Sequence, residues 1–173
     1  MKVQKVSWNS ESFGAEIVDS FVNTGFAVIT DHSLNQRLVD AVYEDWRRFF
    51  AMGDEQKRAK LFSEKTQAGW FPPKAEKAKD AQFPDMKEFY HFYKDLEPAS
   101  ITTDLANALE RMAINMLGLI DQELRNRGVE ILCQEPLARS VAKSEKTLFR
   151  LLHYPPTRDF GLEAELMERA AAH

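Results

Sequence analysis

The sequence has almost no cysteine and no long apolar run. Cys133 is its single cysteine, so no disulfide can form within the chain, and this usage is typical of a reducing compartment. No segment approaches the roughly 18 consecutive apolar residues of a membrane-spanning helix. The amino terminus also lacks the apolar stretch of a secretion signal. We therefore expect a cytoplasmic protein with no membrane partner.

An excess of positive charge is also lacking. The 23 Lys and Arg residues are outnumbered by 27 Asp and Glu residues, which gives a formal net charge of −4. This balance argues against nucleic acid as a partner. With 44% hydrophobic and 29% charged residues, the composition is ordinary for a globular protein. The length of 173 residues suits one domain or part of a larger one.

Several short motifs with known chemistry are absent. The chain contains no glycine-rich phosphate loop, no Gly-x-Ser-x-Gly, no Cys-x-x-Cys and no His-Glu-x-x-His, which are signatures of nucleotide binding, serine hydrolysis, thiol redox chemistry and zinc proteolysis. The histidines are far apart in the sequence, at His32, His91, His153 and His173. Composition and short motifs alone indicate only a globular domain.

Periodicity predicts a mixture of helices and strands. Apolar residues recur at helical spacing at about 10–25, 35–52 and 104–126, the last with Thr103 or Asp104 as the expected cap. Short β-prone runs predict strands at 2–8, 26–30 (buried), 87–93 and 147–154. Residues 63–84 read as a long surface loop. This order predicts the α+β class, with helices packed against a sheet.

Five segments, taken in order, resemble the isopenicillin N synthase-like family of Fe(II)/2-oxoglutarate-dependent oxygenases. They are Thr24–Leu34 (TGFAVITDHSL), Phe49–Lys57 (FFAMGDEQK), Gly69–Pro72 (GWFP), Asp85–Tyr90 (DMKEFY) and Leu148–Pro156 (LFRLLHYPP). The resemblance implies a helix-rich amino-terminal region at 1–145. It also implies that 146–173 forms the first strands of a double-stranded β-helix (jelly-roll) core, which is incomplete in this chain.

The resemblance also implies an iron site. In the family, two histidines and one carboxylate hold Fe(II) on one face and leave the other face open for 2-oxoglutarate and dioxygen. The run Arg169–His173 is similar to the segment that leads to the first ligand, so His173 is the expected ligand. The other two ligands and the residues that grip 2-oxoglutarate are expected beyond residue 173. We therefore expect the 173-residue chain to be inactive alone.

Further candidate contacts follow from the same resemblance. Tyr154 is expected to bind a carboxylate of the cosubstrate or substrate, and Arg150 either reaches a substrate or forms a structural ion pair. Candidate substrate contacts in the region 66–90 are Trp70, Phe71 and Phe89, with a hydrophobic cluster as the alternative. The family often has Asn where this chain has Leu152, so an oxidase that does not use 2-oxoglutarate stays open. A non-catalytic binding fragment is the other alternative, and the oligomeric state is not predicted.

An unfinished barrel should be unstable, because it exposes unpaired strand edges and an apolar face. We expect the isolated 173-residue chain to aggregate or to remain partly molten. Sedimentation velocity and differential scanning calorimetry test this expectation together. A monomer that melts in one sharp, cooperative transition would contradict it.

Overall fold

The computed structural model describes residues 2–77, 84–129, 135–144 and 146–160. The chain divides into two compact units, of which the first combines residues 1–39 with 100–145 and the second combines 40–99 with 146–173. In chain order the elements are β1 (Lys5–Ser7), α1 (Phe13–Thr24), β2 (Val28–Thr30), α2 (Gln36–Phe50), α3 (Asp54–Lys57), β3 (Gly69–Phe71), β4 (Glu88–Phe92), α4 (Ile101–Asn126), α5 (Leu137–Ala142) and β5 (Phe149–His153). Short 3₁₀ turns follow α3 and β5.

The first unit packs α1 against α4 beside a two-stranded parallel sheet of β1 and β2. Its core consists of Val6, Phe13, Ile17, Val18 and Ile120. The expected helix at 10–25 is confirmed as α1, and it ends at Gly25, whose φ of 75° is the left-handed conformation that favours glycine. Helices and small sheets together confirm the predicted α+β class.

Two details of the first unit differ from the sequence expectations. The strand expected to be buried at 26–30 is only Val28–Thr30, and Phe26 and Val28 are 68% and 46% exposed. The long helix α4 begins at Ile101, and its cap is Ser100 rather than Thr103 or Asp104. The Ser100 hydroxyl accepts a hydrogen bond from the backbone N–H of Thr103, and the Thr103 hydroxyl accepts one from the N–H of Ser100. This reciprocal pair satisfies two donors that the helix leaves unbonded.

The second unit is built on an antiparallel sheet with the strand order β3-β4-β5. Side chains alternate between its two faces. One face, here called the helix face, packs against α2: Trp46 lies 4.8 Å and Phe49 5.6 Å from the ring of Tyr90, and Phe50 lies 5.1 Å from the ring of His153. The opposite face is called the far face. No helix among the described residues is long and apolar enough to cross a membrane.

Strand β3 lies inside the region that the sequence indicated as a loop. Its first residue, Gly69, has φ of +115°, and a Cβ there would lie 2.8 Å from the carbonyl oxygen of Lys60 and from Cα of Phe62. Only glycine allows this close approach. The segment before β3 then bonds to it, since the N–H of Phe62 donates to the carbonyl of Trp70 over 3.0 Å.

A buried carboxylate on β4 ties the helix face together. One oxygen of Glu88 accepts from Lys57 Nζ over 2.7 Å and from Trp70 Nε1 over 2.8 Å. The other oxygen lies 2.8 Å from Nδ1 of His153. The side chains of Lys57 and Glu88 are 5% and 3% exposed. A charged pair this deeply buried persists only because further hydrogen bonds satisfy its remaining polar atoms.

Replacement of this carboxylate should destabilise the second unit. In Glu88→Ala, the buried indole N–H of Trp70 loses its acceptor and the buried ammonium of Lys57 keeps only the exposed Asp54 carboxylate at 3.2 Å, so we expect a loss of about 3 kcal/mol in the free energy of unfolding. Urea denaturation of the full-length protein, followed by tryptophan fluorescence, measures this loss. Glu44→Ala is the matched control, because the exposed ion pairs of Glu44 with Arg47 and Arg48 should contribute no more than about 1 kcal/mol. Equal losses of unfolding free energy in the two variants would contradict a stabilising role for the buried Glu88 carboxylate.

Candidate functional site

The far face of the second sheet carries Phe71, Phe89 and Arg150, three of the six candidate residues. The strand register places Phe71 beside Phe89, Phe89 beside Leu152, and His91 beside Arg150. These side chains come from three strands that are distant in the sequence. The face therefore combines aromatic rings with a histidine and an arginine.

Stacked rings form the floor of this face. Phe62 lies 4.1 Å from Phe71 with an interplanar angle of 12°, and Phe71 lies 4.6 Å from Phe89 with an angle of 13°. Phe89 is fully buried and Phe71 is 7% exposed. These phenylalanines are thus a packed cluster, and only their outer neighbours on the face reach solvent.

Arg150 lies across this floor in a fixed orientation. Its guanidinium carbon is 4.5 Å from the centre of the Phe89 ring, within the range of a cation–π contact. Nε donates to Nε2 of His91 over 2.9 Å, and Nη2 donates to Oε1 of Glu76 over 2.7 Å. The expected ion pair of Arg150 is therefore present, while its side chain remains 34% exposed.

The bonds of His91 define its tautomer. Its Nδ1 lies 2.9 Å from the backbone carbonyl of Gln67, and a carbonyl can only accept, so Nδ1 carries the hydrogen. The Nε2 atom is then free to accept from Arg150. Burial lowers the pKa of His91, and the nearby positive charge of Arg150 lowers it further, although the bond to Gln67 acts in the opposite direction. The ring is held neutral.

A second cation, Lys87, extends this array of charged and polar side chains on the far face. Lys87 Nζ lies 2.6 Å from Asp85 Oδ2 and 3.1 Å from Glu76 Oε2, so Glu76 bridges Lys87 and Arg150. Burial opposes the charge of Lys87, but the hydrogen bonds from Asp85 and Glu76 outweigh it and raise the pKa of Lys87. Oδ1 of Asp85 is buried and has no hydrogen-bond partner within the described part of the chain.

The structure brings only some of the predicted site residues together. Tyr154 follows β5 and is 38% exposed; within the described residues its phenol forms no hydrogen bond. Trp70 lies on the helix face, where its indole N–H is committed to Glu88, and it is separated by the sheet from Phe71 and Phe89. His173 lies outside the described residues.

The iron site that the resemblance implies is not formed by the described residues. Among them, no group of three or more His, Cys, Asp or Glu side chains could hold a metal ion. His91, the buried histidine of the far face, uses its two ring nitrogens for hydrogen bonds with the Gln67 carbonyl and the Arg150 guanidinium. Neither nitrogen is therefore available to bind a metal. The role of His173 as a ligand stays a prediction.

Sequence reasoning did not identify His91 and Glu76 as part of this array. The sequence showed His91 only as one of four widely separated histidines, and Glu76 lies in the region that read as a loop. The one signal available was alternation, because Asp85, Lys87 and His91 have the same parity along the chain and so share one face. Their partners could not be inferred, since Glu76 and Arg150 are 74 residues apart in sequence.

The fold and the segments that form it identify the family. Residues 3–111 match the family model described as the N-terminal part of the non-haem dioxygenase in morphine synthesis. This match covers more than half of the chain, and the chain belongs to this family of non-haem dioxygenase amino-terminal regions. A search of the curated proteins finds no match.

Solved structures are similar over most of this chain. A candidate oxygenase from Shewanella oneidensis is 27% identical with a TM-score of 0.71, over 90% of this chain and 55% of that one. A candidate 2-oxoglutarate–Fe(II) oxygenase family protein from Caulobacter crescentus is 27% identical with a TM-score of 0.68, over 89% and 56%. A full-length Neurospora crassa protein, solved in complex with α-ketoglutarate and thymine, shares the fold at 16% identity with a TM-score of 0.65, over 88% and 55%. The chain thus spans little more than half the length of these structures.

The lowered pKa of His91 predicts a pH dependence. The unfolded chain binds a proton near pH 6.5, whereas the folded chain resists protonation until a lower pH. The stability that His91 contributes is therefore complete above about pH 6.5 and is lost as the pH falls towards the folded pKa. The imidazole resonance of His91 in an NMR titration should have its midpoint below that of an unfolded peptide.

Glutamine is the matched replacement, because its amide can still donate to Gln67 and accept from Arg150. The free energy of unfolding of His91→Gln should decline less between pH 7.5 and pH 5 than that of the unaltered protein, in paired urea titrations. A His91 midpoint at or above 6.5, or parallel pH profiles for the two proteins, would contradict the neutral assignment.

Proposed function

We propose that this chain is the amino-terminal portion of a non-haem Fe(II), 2-oxoglutarate-dependent oxygenase that oxidises a small molecule with dioxygen. The observation that carries the proposal is the family match over residues 3–111. The 27% identity to two candidate oxygenases over about nine-tenths of the chain supports it. The iron ligands would be His173 and residues of the parent protein beyond it.

Within this proposal the far face contributes binding rather than chemistry. Tyr154 would donate its phenolic hydrogen to a carboxylate of 2-oxoglutarate or of the substrate, since the phenol is partly exposed and unpaired in the described part of the chain. Arg150 would contact the substrate through the guanidinium edge that Glu76 and His91 leave open. A clamped guanidinium loses little conformational entropy when it binds an anion.

The aromatic candidates separate into two roles. Phe89 supports Arg150 from beneath and Phe71 stacks on Phe89, so together they would shape the substrate site by fixing that guanidinium. Trp70 belongs to the opposite face, where its indole bonds Glu88. Its contribution to the proposed activity would be to stabilise β4, the strand that carries Phe89 and His91.

The proposal is tested with the complete gene product. The coding sequence after residue 173 should continue into Asp two positions later and a distal histidine. The full-length protein, loaded with Fe(II) under anaerobic conditions and then given 2-oxoglutarate and oxygen, should form succinate. A stop codon after His173 would favour a non-catalytic binding role, and oxygen uptake without succinate would favour an oxidase that does not use 2-oxoglutarate.

A phenol-to-phenyl change tests the role of Tyr154. Tyr154→Phe in the full-length protein should raise the KM for 2-oxoglutarate or for the substrate roughly tenfold, as expected for one lost hydrogen bond to a charged group. Tyr43→Phe is the control, because Tyr43 is 69% exposed on α2. If succinate forms normally in both variants, the role of Tyr154 is wrong while the proposed activity stands.

A further inference from the structure

The guanidinium of Arg150 is bonded through only two of its three nitrogens. Its Nε donates to Nε2 of His91 over 2.9 Å, and its Nη2 donates to Oε1 of Glu76 over 2.7 Å. A guanidinium has five N–H donors, so these two bonds leave three unused. Both donors of Nη1 are among them, since Nη1 has no hydrogen-bond partner within the described residues. The unused donors are called the free end of Arg150.

Arg127 shows that this free end does not follow from exposure alone. The Arg127 side chain is 33% exposed, almost the same as the 34% of Arg150, but all three of its nitrogens are bonded. Nε donates to Glu123, Nη1 to Asp19 and Nη2 to the backbone carbonyl of Ala15. A guanidinium with a purely structural role is thus saturated in this chain, whereas Arg150 is held and left unsaturated.

The charges around Arg150 indicate what its free end can bind. Glu76 divides its two oxygens between Arg150 and Lys87, and Lys87 also bonds Asp85. The two cations and two carboxylates sum to zero, so this array has no general excess of positive charge. Recognition then relies on directed N–H donors, and a pair of guanidinium N–H groups matches the two oxygens of a carboxylate.

We propose that the substrate carries a carboxylate that accepts hydrogen bonds from the free end of Arg150, and that His91 and Glu76 are positioning residues for this contact. The inference rests on the proposed oxygenase function and adds the class of its substrate. The two bonds fix the guanidinium before the substrate arrives, so little side-chain freedom is lost on binding. His91 suits this role because its Nε2 accepts from Arg150 while its Nδ1 stays bonded to Gln67.

Benzoate and benzamide test the substrate class, because they have nearly the same shape and differ in charge. The full-length protein is loaded with diamagnetic Zn(II) in place of Fe(II) and saturated with 2-oxoglutarate. NMR then follows the Nε–H resonance of Arg150, which is identified by its loss in Arg150→Lys. Benzoate should shift this resonance and bind roughly tenfold more tightly than benzamide, as expected for charge-assisted hydrogen bonds. The Nε–H resonance of Arg127 is the internal control and should not move.

Two replacements of His91 test its positioning role. His91→Leu removes the acceptor for Nε of Arg150 and should weaken benzoate binding roughly threefold to tenfold, because the guanidinium must then be ordered on binding. His91→Gln keeps an acceptor and should retain the affinity of the unaltered protein. Both variants are compared at a temperature where their circular dichroism matches that of the unaltered protein. Unchanged affinity in His91→Leu, or equal weakening in His91→Gln, would overturn the positioning role.

Succinate formation by the full-length protein separates this inference from the proposed function. A carboxylate side chain of the parent protein beyond residue 173 is the competing occupant of the free end. If succinate forms but neither probe shifts the Arg150 resonance, or both probes bind equally, the inference is wrong while the proposed function stands. Failure to form succinate would overturn the proposed function and, with it, the assignment of the carboxylate to a substrate.

Discussion

The buried carboxylate of Glu88 is the interaction on which the second unit depends. It lies on the central strand and bonds Lys57 from α3, Trp70 from β3 and His153 from β5. Four segments that are distant in sequence therefore meet at two oxygen atoms. Because the indole of Trp70 is buried, loss of this carboxylate leaves its N–H without an acceptor. The position of β4 relative to both neighbouring strands follows from this constraint.

Alternation along β4 gives its two faces different contacts. Glu88 and Tyr90 face α2 and hold the sheet, whereas Phe89 and His91 face the other way and hold Arg150. Both faces of β4 are buried, but one is covered by α2 and the other by stacked rings and the Arg150 side chain. The support of the sheet and the orientation of the guanidinium therefore come from adjacent residues of the same five-residue strand.

The parts of the fold that sequence predicted are those governed by local periodicity. The helices α1, α2 and α4 and the strands β4 and β5 lie where apolar spacing indicated, because that spacing is itself the surface they bury. The strand β3 was missed, since Gly69, Trp70 and Phe71 are too few to show alternation. The bond from His91 to Arg150 was missed for another reason: it depends on the pairing of β4 with β5, which no local pattern specifies.

Long-range strand pairing also determines how Arg150 is oriented. Arg150 is oriented by Glu76, His91 and Phe89, all within the second unit, and none of these contacts needs a metal. A guanidinium already restrained by such contacts is preorganised before any cosubstrate binds, and preorganised groups bind at a smaller entropic cost. The pairing of β4 with β5 therefore fixes the position and orientation of the Arg150 guanidinium.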